Sequence, residues 1–462
     1  PVCAAFSQRE GPSSMPAFPV LSRLFAAMTL LAALVLAPVA RAQSLVRDAE
    51  IEYALRELLS PVAGAAGIPV SQLRVMVIND STLNAFVVDG RTIFVHSGLV
   101  LKLDRAEELQ AVIAHELAHI ANGHITRRLT NLRGANSVAA MGTALALGLA
   151  ASGNGKAAAG LAVGAQSSAQ RVFFSHTRAE ESSADQAGVR YMARAGVDPQ
   201  AMVDVLDIFR GQEALRPGRQ DPYVRTHPLT ADRLRAMKGY AAAYGKEARD
   251  DPAADYWFAR ARGKLGAFLQ NSNYTLRKVG KADKSDIAVM RRAIAYHRRP
   301  DTDRALAEVN RLVAMRPKDP YYQELKGQIL LESRQFPAAV SAYGKAVKMA
   351  PREALILAGY GRALLALKTG DGNRRALATL EKARARDPHD PRMLRDLAVA
   401  YARAGNNGMA SLATAERYAL MGRLNDAGTH AKRASDLLPR GSAGWLRAQD
   451  VLSAAEAAAK RR

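Results

Sequence analysis

The sequence predicts a mainly α-helical protein, with an α+β first domain carrying one small sheet and an all-α solenoid after it. Three observations predict this. Alanine is abundant while aromatic residues make up only 6% of the chain, a mix that favours helix over sheet. Strand-like runs rich in β-branched residues are confined to one stretch, Arg74 to Val95. From about residue 286 the sequence repeats itself with helical spacing. At 462 residues the chain can bury more than one core.

Taken in order, the apolar run Leu24 to Ala37 follows Arg23 and ends at Pro38, and Ala40-Arg41-Ala42 places small residues where a signal peptidase cuts. Residues 1–42 are therefore expected to be an export signal, cleaved after Ala42, with 1–14 an over-extended start upstream of Met15. Fourteen apolar residues are too few to span a bilayer comfortably. The one cysteine, Cys3, falls in that segment, so the mature chain is expected to form no disulfide and to bind no metal through sulfur.

Residues 45–60 have helical periodicity, with Leu45, Ile51, Leu55, Leu58 and Leu59 among charges. Arg74 to Ile78 and Arg91 to Val95 read as strands, with Asp89-Gly90 as a turn between them. Asp104-Arg105-Ala106-Glu107 has the form of a capping box. It opens a helix whose apolar side carries Leu109, Val112, Ile113, Leu117 and Ile120. Residues 134–165 are a Gly/Ala-rich stretch, expected to be a lid or a membrane-touching hairpin. Another helix is expected from about Arg178 to Ala195, closed by Gly196.

The domains are expected at 43–250, then a bridge at 251–285, then repeats at 286–462. The clearest repeat places Gly327, Ala339, Tyr343, Ala346 and Pro351 within 320–351. Gly361, Ala383 and Pro388 continue the pattern after an insertion at Gly370 to Asn373. Ala398, Tyr401 and Gly405 give a truncated third unit, and Ala415, Tyr418 and Gly422 open a fourth. These units resemble tetratricopeptide repeats, helix pairs of about 34 residues that present a binding surface. Charge is uneven. Residues 43–250 hold 23 Lys+Arg against 21 Asp+Glu, whereas 251–462 hold 39 against 21. In an exported protein such a basic surface points to anionic lipid headgroups or acidic protein clients, or equally to a solvated face that keeps the protein soluble, and nucleic acid is set aside.

The chemistry resides in His115-Glu116-Leu117-Ala118-His119. Four residues apart on a helix, both imidazoles leave the same face and can share a tetrahedral zinc. Glu116 is placed to take a proton from the attacking water. A third ligand must be His or carboxylate. Glu181 and Asp185, four apart on a second helix, supply one carboxylate for the metal and one to orient a ligating imidazole. Glu180 competes for the first role but has Ala184 four residues on. His124, five beyond His119, is about 140° off the ligand face at 100° per residue. His96, His176, His297, His389 and His430 have no partner pattern.

HELAHI at 115–120, Glu181-Ser182-Ser183-Ala184-Asp185, and Thr226-His227-Pro228 with Arg233 together resemble the gluzincin peptidases of the HtpX, Oma and CAAX prenyl endopeptidase family, over about residues 45–240. The export signal and the repeats are similar to its periplasmic, repeat-bearing members. The resemblance implies a zincin-type fold, one zinc ion on His115, His119 and Glu181, and Glu116 as general base. It implies that Asn84 contacts substrate backbone beside an edge strand, either 83–88 or 91–95. It also implies that His227 and Arg233 steady the oxyanion, or that His227 instead takes the fourth zinc position and latches the site.

The function implied is a periplasmic zinc endopeptidase acting on misfolded or stalled outer-membrane proteins, with repeats recruiting clients or the assembly machinery. The alternative is a chaperone or adaptor whose protease site stays latched. A third reading has the basic repeats hold the enzyme on an anionic membrane.

Overall fold

The structure is a computed structural model describing residues 44–127 and 177–459, save 217–218, 246–247 and 281. The expected export signal and the Gly/Ala-rich stretch lie outside the described residues. No helix among the described residues is long and apolar enough to cross a membrane.

The first domain begins with β1 (Ser44–Val46) and α1 (Ala49–Ala65). Asp48 caps α1, accepting from the Glu50 and Ile51 amides. Next come β2 (Arg74–Asn79), β3 (Ala85–Val87), β4 (Thr92–His96), α2 (Ser97–Lys102) and α3 (Ala106–Ala121). The sheet order is β1-β2-β4-β3. β2 and β4 run parallel, with Met76 opposite Phe94, while β3 returns antiparallel with Phe86 opposite Phe94. The Asp89-Gly90 turn thus joins β3 to β4. Strand 91–95 is interior, so of the two expected edges 83–88 alone lies at an edge of the sheet, the other edge being β1. That corrects one of the two expected edges, and the reason is local: Ala85–Val87 is too short to show β periodicity in sequence.

The expected capping box at Asp104 also needs correction. Helix α3 starts one residue later, and Glu108, not Glu107, reaches back to accept from the Asp104 and Arg105 amides. Asp104 instead meets Arg262 at 2.8 Å.

Then follow α4 (Arg178–Ala195), α5 (Gln200–Ile208), α6 (Pro222–Thr226) and α7 (Ala231–Tyr244). Thr177 and Glu180 form a true capping box for α4, and Gly196 ends it in the left-handed region at φ 77°. The core lies between α1, α3, α4 and one face of the sheet, built from Leu55, Leu58, Val77, Ile93, Leu109, Val112, Ile113 and Val189 among others. Helices α3 and α4 approach through small residues, Ala118 against Ala184 and Ala187. At Gly188 an added Cβ would stand 3.4 Å from the Ala114 backbone and 3.2 Å from Met202 Cε. This tight seam brings the two polar faces of the helices together.

Helices α8 (Pro252–Leu269) and α9 (Ser272–Val279) occupy the segment expected to bridge. The solenoid continues as the pairs α10/α11 (Asp286–His297, Thr302–Met315), α12/α13 (Pro320–Glu332, Phe336–Met349), α14/α15 (Ala354–Ala366, Gly370–Arg386), α16/α17 (Pro391–Arg403, Asn407–Leu420) and α18/α19 (Leu424–Leu437, Ala443–Ala459). First helices begin at 286, 320, 354, 391 and 424, near the expected period. Between successive pairs the Tyr343 ring sits between two glycines: a Cβ on Gly327 or Gly359 would lie 2.6 or 2.5 Å from it.

The third unit is a complete pair, not a truncated one. Gly405 and Gly422 sit at φ 75° and 61° in the turns between helices, so they do not match the helical Gly327, and the sequence frame there was shifted. Gly370 to Asn373 form the first turn of α15, where Thr369 accepts from the Gly372 amide, rather than a loop.

Helix α1 belongs to both halves. Its Glu50 meets Arg260 of α8 at 2.6 Å and Lys264 at 3.1 Å. Arg260 also pairs with Asp319 at 2.6 Å and lies over the Tyr322 ring at 4.1 Å. Arg47 bridges Glu52 at 2.6 Å and Asp387 at 2.5 Å, and Tyr53 packs on Trp257 and Tyr321.

Candidate metal centre

The four-residue spacing on α3 puts His115 and His119 on one face, both buried. Their Nε2 atoms lie 3.1 Å apart. Across the seam, α4 delivers Glu181, whose Oε2 is 3.4 Å from His115 Nε2 and whose Oε1 is 3.4 Å from His119 Nε2. After α6 the chain turns so that His227 Nδ1 stands 3.3 Å from His115 Nε2 and 3.0 Å from Glu181 Oε1. One ligand atom from each of His115, His119, Glu181 and His227 falls within 4.8 Å of the others.

These separations test whether a metal fits. Bonds of about 2.0–2.1 Å in tetrahedral array imply ligand-to-ligand edges of about 3.3–3.4 Å. The observed contacts, 3.0 to 3.4 Å through one or the other Glu181 oxygen, are close to such edges, and one ligand atom per residue stays within 4.8 Å of the rest. Nitrogen and oxygen donors without sulfur suit zinc among the common ions.

Glu116, one residue after the first histidine, is fully buried. Neither of its oxygens makes a well-directed hydrogen bond, and Oε1 lies 3.2 Å from His227 Nε2. An orphaned buried carboxylate is costly unless it has work to do. Burial pushes its pKa up, against the pull of His227 and His115.

Behind the ligands stand Asp185 and Arg233. Asp185 Oδ1 is 3.0 Å from His115 Nδ1, off the ideal hydrogen-bond line. Arg233 forks onto Asp185, with Nε 2.8 Å from Oδ2 and Nη2 2.9 Å from Oδ1, and its Nη1 reaches Glu181 Oε2 at 2.7 Å. Nη1 also donates to the Pro228 carbonyl. The guanidinium is thus spent on Asp185 and Glu181, which leaves it no direct place at a substrate oxyanion.

Charges in the pocket oppose one another. Burial resists a proton on His115, yet Glu181 and Asp185 overcome this and raise its pKa to about 10. Burial holds His119 down to about 3. Glu181 is buried too, but His227, Arg233 and His115 keep it well below the usual carboxylate range. A metal ion held by His115, His119 and Glu181 would compete with that proton for His115.

Asn84 lies at the start of the open edge, buried, with its carbonyl accepting from the His96 amide and its Oδ1 3.4 Å from Thr226 Oγ1. Glu180, the rival of Glu181, is held in the capping box at the head of α4.

His124 stands outside the ligand cluster, as its spacing from His119 predicts. It is buried, with Nδ1 2.8 Å from His119 Nδ1. Helix α3 stops at Ala121, and Gly123 turns at φ 68°, so 100° per residue does not extend to residue 124. Asn122-Gly123 was the available signal, a helix stop. Tyr223, also missed, packs its ring 4.6 Å from that of His227.

Two helix-borne imidazoles closed by a carboxylate from a second helix, beside an open strand edge, define a metallopeptidase. Residues 49–241 match the model of Peptidase family M48, and residues 325–372 and 360–427 match the tetratricopeptide repeat model. The chain is similar to the beta-barrel assembly-enhancing protease of Yersinia pestis, 26% identical over 360 residues, covering 76% of this chain and 72% of that one. It is similar to the protein of the same name from Escherichia coli (strain K12), 26% over 371 residues, 79% and 74% of the two chains. Metalloprotease LoiP of Escherichia coli (strain K12) is 27% identical over 209 residues, 43% of this chain and 75% of its own.

Proposed function

We propose that the chain is a periplasmic zinc endopeptidase acting on misfolded or stalled outer-membrane proteins, with its tetratricopeptide repeats recruiting clients or assembly machinery. The observation that carries it is the set of 3.0 to 3.4 Å edges joining His115, His119, Glu181 and His227. Relatives named for β-barrel assembly support the substrate class.

His115, His119 and Glu181 hold the ion, one per chain. When bound it supplies Lewis acidity to the scissile carbonyl. Glu116 takes a proton from the attacking water and passes it to the leaving nitrogen, and its raised pKa favours that shuttle. Asp185 orients His115. Arg233 is a positioning residue, acting through Asp185 and Glu181. An extended substrate adds to the β3 edge, with Asn84 at its start.

His227 favours the latched state. Its Nδ1 stands at the fourth corner, and its Nε2 faces the Ala85 carbonyl at 3.3 Å. Phe86 pairs with β4 and Asn84 bonds to it, so by alternation the Leu83 and Ala85 carbonyls point outward along the open edge. The Tyr223 amide takes the former at 3.2 Å. Residues 223–227 therefore lie where a substrate strand would add.

The test is cleavage of casein by purified full-length protein. Glu116→Gln abolishes cleavage while zinc remains bound. His227→Ala raises cleavage if residue 227 latches the site, and lowers it by one to several powers of ten if it serves the oxyanion. A Glu116→Gln protein that still cleaves sinks the proposal.

A further inference from the structure

We infer that His124 and Ser183 are positioning residues that fix the tautomer of His119 and so aim its Nε2 lone pair at the metal centre. This rests on His119 being a ligand, as proposed above.

The direction of the hydrogen-bond chain is set at its far end. Ser183 Oγ donates to the Glu180 carbonyl oxygen at 3.2 Å, in the arrangement that places the hydroxyl proton there and not on the His124 side. Asn122 Nδ2, which can only donate, lies 3.2 Å from the same Oγ. The hydroxyl is then left only with a lone pair for its third neighbour, His124 Nε2, at 3.2 Å. His124 must therefore carry its proton on Nε2. Its Nδ1 in the neutral ring is an acceptor, 2.8 Å from His119 Nδ1. For that contact to be a hydrogen bond, His119 must carry its proton on Nδ1, which leaves Nε2 bare. That Nε2 faces His115 Nε2 and Glu181.

No metal is needed to reach this assignment. A backbone carbonyl, an amide group and a hydroxyl at the head of α4 dictate which nitrogen of a buried ring on α3 is free. The two ligating rings are thus backed differently. His115 leans on the anionic Asp185, whereas His119 leans on the imidazole of His124. A negative group behind His119 would add charge to a pocket already holding Glu116, Glu181 and Asp185; the imidazole orients the ring without doing so. The same chain ties Asn122 at the end of α3 to Ser183 on α4, so it also spans the helix seam.

The test compares zinc dissociation constants of full-length protein by competition with a chromogenic chelator, alongside the visible spectrum of the cobalt(II)-loaded form. His124→Leu and His124→Asn are close in shape, but only the asparagine keeps an acceptor near the Nδ1 position. The leucine variant should bind zinc about 10- to 100-fold more weakly and show an altered cobalt spectrum. The asparagine variant should recover most of that loss. Ser183→Ala, which touches neither ligand, should weaken zinc several-fold, and the melting temperature of the metal-free protein, measured beside it, separates this from the loss of the helix-seam hydrogen bonds.

Equal affinities for the leucine and asparagine variants, or an unchanged affinity in Ser183→Ala, overturn the inference. Failure of the ligand assignment would look different: His119→Ala would then bind zinc as the wild type does.

Discussion

Arg233→Met removes the guanidinium that two buried carboxylates share. The guanidinium is nearly enclosed, as are the Asp185 and Glu181 side chains, at 5%, 4% and 0% exposure. Removing one partner of a buried pair costs about 3–5 kcal/mol, because a charge is left without compensation. Here His115 remains 3.0 Å from Asp185, and three imidazoles remain within 3.4 Å of Glu181. The expected loss is therefore at the lower end, about 3 kcal/mol for the metal-free protein. On the proposed ligand set a bound zinc would neutralise Glu181, so the deficit should shrink when zinc is added. Arg233→Lys keeps the charge but not the fork, and should fall between. The assay is urea denaturation followed by far-ultraviolet circular dichroism, with and without zinc, the midpoint shift being scaled by the denaturant slope. A methionine variant within about 1 kcal/mol of wild type without metal would refute the assignment of Arg233 as the clamp on both carboxylates.

Two further outcomes are expected. Gly188→Ala should be tolerated, since the helix gains up to about 1 kcal/mol of propensity against a mild squeeze. Gly188→Val should lose about 1–3 kcal/mol by overpacking and weaken zinc besides, because it wedges α4 from the Ala114 backbone; equal zinc affinities for the two variants would count against the seam as the device that places Glu181. The Arg47–Asp387 pair should show in acid. Burial alone would raise the Asp387 pKa, but Arg47 outweighs it and the net direction is down. A folded value below the unfolded value of about 3.9 means the pair's contribution is complete at neutral pH and is lost as pH falls through the depressed value. The stability gap between wild type and Asp387→Asn should therefore be constant above about pH 5 and narrow below about pH 4. Urea midpoints at pH 7 and 3.5 check this, and an equal gap at both would contradict it.

Much of the site was legible because its signals are local. His115 and His119 share a helix face by spacing, and Glu181 with Asp185 repeats the device on a second helix. Glu181 could be told from Glu180 by the same four-residue rule, and α4 spends Glu180 on its own N-terminus. What escaped depended on where helices stop or on which side of a charge a residue lies. His124 was projected along a helix that had already ended at Gly123. Arg233 is visibly basic and near His227 in sequence, but only three dimensions show it behind the carboxylates. The solenoid period was readable, whereas its frame slipped at Gly405 and Gly422, because a glycine packed in a helix and one in a left-handed turn are the same letter. The three-residue β3 is likewise too brief to declare its pairing.

One helix, α1, has a consequence for anyone wishing to excise the catalytic part. Cutting the chain at residue 251 would take away Arg260 and Lys264 and strand the enclosed carboxylate of Glu50, while laying bare the ring of Tyr53 that Trp257 and Tyr321 cover. A fragment ending there should aggregate. One carried through Leu269 keeps both cations and Trp257, and is the piece to express.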